Sequence, residues 1–550
     1  MALRRGVRVL LTAVAPLLLF RVAFAAAGPD PLSAAIEKIV AASNLDGLRW
    51  PRFPDYQYIL KGLYGPRSYA PLWLEAGRPT KQAHDAIDVL READKKGLDP
   101  RDYDVEFLDG QWRALSAGRG STEDLARFDV ALSVALVRNI SDLHIGKVNP
   151  KNLAFGFDID PKKYDLAELV SGAIRDDRIP QVVAEAEPHF IQNRLLKEQL
   201  VRYRNLAQDQ SVGPVQITPP VRPGAPLAAA PQLARWLVAL GDLASLPDPL
   251  PTAYQDALVE GVKRFQARHG ISPDGVIGSS TAQALLVSAG QRVHQIELAL
   301  ERLRWVPPLE QGRVVFVNIP AFELWAFDDV GVQAPALQMR VVVGRAMRTQ
   351  TPVFTGAMKT VVFAPYWNVP RSITRNEILP KLHSNPGYLA AQNMEIVSDG
   401  TPLPASASSI AKLASGAAQL RQRPGPKNAL GRVKFLFPNN NNVYLHDTPT
   451  QSVFEKTRRD FSHGCIRLSQ PAALAEWVLR DQDGWDASRI EQEMARTTEK
   501  AVPLRTPIPV VIFYTTAIAR RDGTILFFED LYGHDKALER ALAQGYPYPP

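Results

Sequence analysis

A chain of 550 residues with one cysteine, Cys465, cannot close an internal disulfide. Downstream of the first 25 residues, no apolar run approaches the length of a membrane span. Charge of one sign is also scarce in excess: 64 Lys and Arg stand against 57 Asp and Glu, a net of +7. That balance permits contact with an anionic polymer or a membrane surface without demanding either. No basic stripe with interleaved aromatics appears, which sets nucleic acid aside as a partner. The nine histidines show no zinc-ligand spacing, so no metal is expected, and nothing calls for a cofactor.

The opening "MALRRGVRVLLTAVAPLLLFRVAFAAAGPD" places Arg4, Arg5 and Arg8 ahead of an apolar run from Val9 to Phe20, then Ala23-Phe24-Ala25. Charged head, apolar middle and small-x-small site form a secretory signal over residues 1–25, with an uncleaved inner-membrane anchor as the alternative. The expected location is the periplasm, with peripheral membrane contact or none. A lone thiol in an exported chain is either a buried small hydrophobe or a working nucleophile.

Composition divides the rest. Residues 26–208 alternate amphipathic helical stretches with short turns. In "TKQAHDAIDVLREADKKGL", Ala83, Ile87 and Leu90 follow helical spacing and Gly97 is placed to stop the helix. His84, His144 and His189 are scattered through this segment and read as ordinary histidines. Residues 209–232 are rich in Pro, Ala and Gly without apolar periodicity, as in a linker or long exposed loop. Residues 233–290 read as a small helical unit: Leu258, Val262 and Phe265 share a face, Gly270 ends that helix, Asp274-Gly275 makes a tight turn, and Ser279 or Ser280 can cap the next helix. The pattern Phe265, Gln266, Gly270, Asp274, Gly275, Ile277, Gly278, Thr281, Ala284 and Leu285 resembles the peptidoglycan-binding type 1 module. A connecting helix is expected over 291–312. From 313 to 530 the period changes to strand, as in "LQMRVVVG" and "PVVIFYTTA". A polar, partly helical insertion interrupts this region from 374 to 431, and residues 531–550 form a tail.

The chemistry gathers in "RRDFSHGCIRLSQP". Acyl transfer by a thiol needs a thiolate, a base to make it, a group to orient the base, and donors for the oxyanion. Two histidines compete as base: His463, two residues before the thiol, and His446 in "NNNNVYLHDTP". The asparagine run is a turn, which puts His446 at a strand end, sharing a face with Tyr444. Gly464 permits a tight backbone that turns the Gly464 and Cys465 amides toward a carbonyl oxygen.

With "HDTP" followed by "SHGCIRL", the sequence resembles the YkuD-type L,D-transpeptidases. It is similar to their large periplasmic YcbB-like branch through "IELALERLRWVP", "VFVNIPAFELW", "VVVGRAMRTQTPVF", "FAPYWNVPRSI" and "LRQRPGPKNALGRVKFLFPN". The resemblance implies a multidomain fold: a mainly α scaffold, a three-helix peptidoglycan-binding-like module, and a β-rich catalytic domain of β-sandwich, YkuD-like type with an inserted capping subdomain. It makes Cys465 the nucleophile, His446 the general base and the Asp447 backbone carbonyl its orienting acceptor. His463 is left a supporting or oxyanion role. Gly464 belongs to the oxyanion loop, and Ser462 and Tyr444 border the substrate. Arg467 either holds the loop together or binds a substrate carboxylate.

The reaction implied is 3→3 cross-linking of peptidoglycan stem peptides, with a tetrapeptide donor, a diaminopimelate acceptor and a Cys thioester, along with acylation by carbapenems. Cell-wall synthases are possible partners. L,D-carboxypeptidase activity, attachment of a lipoprotein to the wall, and a non-catalytic wall-binding scaffold stand as alternatives. An endopeptidase of the NlpC/P60 kind fits less well, because there Cys precedes His and opens a helix.

Overall fold

The computed structural model describes residues 30–546 apart from 310, 332, 333 and 386. The expected signal at 1–25 lies outside the described residues. Among those described, no helix is long and apolar enough to cross a membrane.

The N-terminal part is helical around one core that runs from Ile36 to Ala186. Its centre is helix α1, Thr122–Ile145, buried on nearly every face from Ala126 to Leu143. Its apolar residues face the core all round, and the polar ones among them, such as Asp129 and Asp142, are buried with hydrogen-bond partners. A capping box starts it: Ser121 Oγ accepts from the Asp124 amide at 3.2 Å, and the Asp124 carboxylate accepts from the Ser121 amide at 2.9 Å. The stretch read as helical from Ala83 to Leu90 is a helix over Lys81–Arg91. It continues as a 3-10 turn to Lys96, and Gly97 ends it at φ +74°.

Helices Ala230–Leu240, Asp256–Arg268 and Ser279–Leu285 form the small module. Its sequence signature has a physical basis in Gln266, fully buried. Its amide nitrogen donates to Asp274 at 3.0 Å, the Val276 carbonyl at 2.9 Å and Thr281 at 3.1 Å, and its oxygen accepts from the Gly275 amide at 2.9 Å. The expected serine cap is absent: Gly278 is the N-cap of the third helix, which has no side-chain cap bond. Residues 209–232 also differ from a linker. Val215 is fully buried, and its amide donates to Leu285; Val221 and Ile277 exchange two backbone hydrogen bonds. An extended Pro-rich chain lacks periodicity yet still packs as an edge against the module.

Helix α2, Ile191–Gln208, and helix α3, Ala289–Trp305, pack together and join the helical and β regions. The tail is not loose over its described part: it carries helix His534–Leu542, and Asp535 pairs with fully buried Arg302 at 2.6 Å.

The β region contains β1 Val314–Asn318, β2 Glu323–Phe327, β3 Leu337–Gly344, β4 Phe354–Phe363, β5 Val433–Leu436, β6 Leu445–His446, β7 Asp460–Ser462, β8 Ile466–Leu468 and β9 Lys500–Phe513. They form one sheet in the order β7-β3-β8-β6-β5-β4-β9-β1-β2, and β2 pairs back onto β3. The sheet thus closes as a barrel instead of stacking as two separate sheets. The cause is β3: Leu337 to Arg340 pair with β2, Val341 and Val342 with β8, and Val343 and Gly344 with β7.

The insertion is more ordered and shorter than its polar composition implied. It has a four-stranded sheet of Trp367–Asn368, Gln419–Gln422, Met394–Ser398 and Thr401–Leu403, and a core of its own from Val369 to Leu420. Its globular part therefore spans 367–422. Residues 424–431 lead from it into β5: Lys427 Nζ donates to the Ala391 carbonyl at 2.9 Å and Asn393 Nδ2 to the Pro424 carbonyl at 3.2 Å, while the Asn428 side chain donates to the Pro365 carbonyl at 2.9 Å and Gly431 abuts Asp447.

Candidate active site

Strands β6 and β8 are parallel neighbours, with Leu445 opposite Ile466 and His446 opposite Arg467. The Ile466 amide donates to the Tyr444 carbonyl at 3.1 Å. This register fixes Cys465, one residue before β8, beside Tyr444. Leu445, Ile466 and Leu468 are fully buried and anchor both strands in the barrel, which leaves the chemistry-bearing positions at their ends. The Tyr444 and His446 rings meet edge to face, with centroids 5.7 Å apart.

His446 is buried, and its Nδ1 lies 2.5 Å from the Asp447 carbonyl oxygen. A carbonyl only accepts, so Nδ1 carries the proton and Nε2 holds the lone pair. Burial, with the nearby Arg467 and Lys434 charges, pushes the His446 imidazole down to about 3, so it is neutral at ordinary pH. Burial likewise raises the Cys465 thiol above its ordinary value, against the opposing pull of Tyr444 hydrogen bonds and the Arg467 guanidinium. Both shifts favour the uncharged forms, a thiol and an imidazole. The thiol lies 3.7 Å from the Asn442 carbonyl oxygen, to which it donates.

Asp447 is braced in turn. Its carboxylate accepts from the Arg432 amide at 2.8 Å and the Thr448 amide at 2.7 Å, and its own amide donates to Val433 at 2.9 Å. Gly431, at φ +62°, lies so close that a side chain would collide with that carboxylate.

Ser462 ties the loop that carries Cys465. Its hydroxyl donates to the Cys465 carbonyl at 2.5 Å and accepts from the Gly464 amide at 3.1 Å. The Gly464 amide is thereby engaged inside the loop, and Gly464 itself sits at φ +115°. His463 faces away from this bonding, toward the insertion, with Nε2 2.6 Å from Glu377. Arg467 keeps a buried Nε without a hydrogen-bond partner. His84 and His144 lie apart, His84 at 3.1 Å from Asp88 and His144 against the Ala186 and Lys162 carbonyls. Among the described residues, no cluster of three or more His, Cys, Asp or Glu is arranged to hold a metal.

Sequence reading assigned no role to the residues that hold the loop from behind: Arg345, Thr349 and Thr351. The Arg345 amide and Thr349 hydroxyl both donate to the Ser462 carbonyl, at 3.1 and 3.0 Å, and the Thr351 hydroxyl donates to the Gly464 carbonyl at 2.8 Å. Their signal was the dense, turn-like "GRAMRTQTP" after a strand. Glu377 carried no signal, because its contact with His463 joins positions 86 residues apart. An apolar cavity of about 530 Å3 lies elsewhere, between α2 and the outer face of β1 and β2, and is lined by neither cysteine nor histidine.

Three family profiles match the chain: "Scaffold domain" over residues 59–200, "Putative peptidoglycan binding domain" over 229–285, and "L,D-transpeptidase catalytic domain", the YkuD family, over 312–512. A Haemophilus influenzae protein named "Putative L,D-transpeptidase" is 32% identical over 249 residues, which is 45% of this chain and 49% of that protein. The chain thus spans about half the length of this curated relative. A solved L,D-transpeptidase (residues 123-326) from Xylanimonas cellulosilytica is 15% identical, covering 54% of this chain and all of that one. Its TM-score of 0.18 is too low to carry an argument.

Proposed function

From a chain that carries a YkuD-type L,D-transpeptidase catalytic domain beside scaffold and peptidoglycan-binding domains, we propose an exported L,D-transpeptidase that forms 3→3 cross-links between peptidoglycan stem peptides through a Cys465 thioester. The observation that carries this reading is the His446 tautomer. The Asp447 carbonyl holds the Nδ1 proton, which leaves the Nε2 lone pair for the thiol two strand positions away across the parallel register.

In the first half-reaction, Nε2 takes the Cys465 proton as sulfur bonds to the carbonyl carbon of the donor's third residue. The bond to the terminal D-Ala nitrogen then breaks, and the imidazolium returns its proton to the leaving amine. In the second, the side-chain amine of an acceptor diaminopimelate attacks the thioester, gives a proton to His446, and releases the thiol. The raised thiol and the lowered imidazole favour proton transfer together with bond formation over a standing ion pair. Gly464 and Cys465 amides serve the oxyanion once substrate loosens the Ser462 contact, and His463 supports the loop through the cap. The capping subdomain excludes water, the competing acceptor for the thioester.

The test is mass spectrometry of muropeptides after incubating the mature protein with tetrapeptide-rich peptidoglycan, beside Cys465→Ala, His446→Ala and His463→Ala. Cys-dependent 3→3 dimers, lost in His446→Ala and kept in His463→Ala, are expected. Tripeptides without dimers would point to a carboxypeptidase or to a missing protein acceptor, and no Cys-dependent change would make the chain a wall-binding scaffold. Replacing 367–422 by a short linker is expected to raise the ratio of tripeptide to dimer; an unchanged ratio removes the water-excluding role.

A further inference from the structure

Beside the nucleophile loop, a groove of about 400 Å3 is lined by Arg345, Arg348, Arg458, Asp460 and Phe461. Three guanidinium groups face one carboxylate, and that carboxylate is committed. Asp460 pairs with Arg458 at 2.7 Å and accepts from the Ala346 amide at 3.2 Å. Arg345 and Arg348 are exposed and form no ion pair within 4 Å among the described residues. Both stand on the segment whose backbone is tied to Ser462 and Gly464, so their positions are fixed relative to Cys465. Gly344 makes this possible: a side chain there would collide with the Thr349 carbonyl, and the loop folds back over it. The Arg345 charge reaches Arg467, which in turn reaches the thiol.

We propose that this groove is a subsite for a carboxylate of the donor stem peptide, with Arg345 and Arg348 as the specificity-determining cations. The inference rests on the reading of the previous section. A tetrapeptide stem carries carboxylates close to its scissile bond, at the terminal D-Ala and on the diaminopimelate. Two unpaired guanidinium groups on a segment hydrogen-bonded to the Cys465 loop match a planar carboxylate by paired N–H donors in a way lysines would not. The exposed Met347 between them, 93% accessible, adds an apolar ridge without competing for charge.

The experiment measures peptide binding by calorimetry in the full mature chain carrying Cys465→Ala, with and without Arg345→Gln/Arg348→Gln. The probes are the free-acid tetrapeptide, its terminal D-alaninamide and its diaminopimelate carboxamide. The double variant should weaken binding of the free acid at least about tenfold, the loss of one charge-assisted contact. One of the two amides should bind the unsubstituted groove about as weakly, and be indifferent to the double variant; that amide marks the carboxylate that is read. Arg345→Lys/Arg348→Lys should recover part of the affinity, which separates charge from folding damage. Unchanged free-acid affinity, absent binding, or equal losses for all three peptides overturns the subsite. The parent reading fails separately: with Cys465 intact, peptidoglycan products that do not depend on the thiol would sink it whatever the binding ratios.

Discussion

Two parts of this molecule bury ionisable groups, and they treat them differently. In the helical scaffold, Asp129 is fully buried and its carboxylate accepts from three donors: the Leu72 amide at 3.0 Å, the Trp73 amide at 2.8 Å and the Tyr64 hydroxyl at 2.7 Å. Asp142 likewise accepts from Tyr103 at 2.7 Å and from Tyr546. In the catalytic domain, His446 is as deeply buried, yet only Nδ1 is engaged; Arg467 beside it has a buried Nε without a partner. Several donors on each buried carboxylate hold the scaffold together, whereas the buried imidazole keeps Nε2 free for the proton transfer proposed above.

The sharpest way to break this contrast is at its reactive end. Cys465→Ala and His446→Ala are each expected to cut the formation of products by about a thousandfold or more, as loss of a nucleophile or its base does. The unfolding midpoint should barely move; a large fall in stability with either variant would mean that the site is structural like the scaffold. At the other end, Asp129→Ala leaves the Leu72 and Trp73 amides without an acceptor. It should cost about 3 kcal/mol of stability in urea titration while leaving the activity per folded molecule unchanged. A variant that cut specific activity instead would erase the distinction.

Gly431→Ala tests the bridge between the two behaviours, since it strains a positive φ and presses on the brace of His446. It is expected to lower stability by about 1–3 kcal/mol and to slow the acylation of Cys465 as well. A loss of stability alone would show that Asp447 braces the fold without orienting the base.

Proton titration gives the smallest expected effects and the finest comparison. Iodoacetamide should alkylate Cys465 with a rate that climbs through a pH above the ordinary thiol value, because burial raises the thiol and the imidazole is neutral. A plateau reached by pH 6 would indicate a standing thiolate–imidazolium pair. For Asp129 the shift is also upward, to about 6, through burial. The folded state then holds its proton more tightly than the unfolded one, so the stability gained from that proton is complete below about 4 and lost as pH rises through 6. The penalty of Asp129→Asn should therefore shrink by about 1 kcal/mol between pH 5 and pH 7; a constant penalty would place the carboxyl in an ordinary environment.

The periodicities that separate helix from strand were written locally, which is why Lys81–Arg91, Asp256–Arg268 and the barrel strands were legible from the chain. So was the place of His446 at a strand end, on the strand parallel to the one that follows Cys465. Closure of the sheet was not legible, because it depends on β3 serving three partners along eight residues. Nor was the packing of 209–232, where backbone hydrogen bonds to distant edges replace any side-chain period. The sequence by itself determined the local elements and the candidate groups they bear. The tertiary structure alone decided the His446 tautomer, the reach of Glu377 to His463, and the exposed, unpaired Arg345 and Arg348 on the segment tied to the Cys465 loop. Those are properties of contacts between segments far apart in the chain, and no local pattern encodes them.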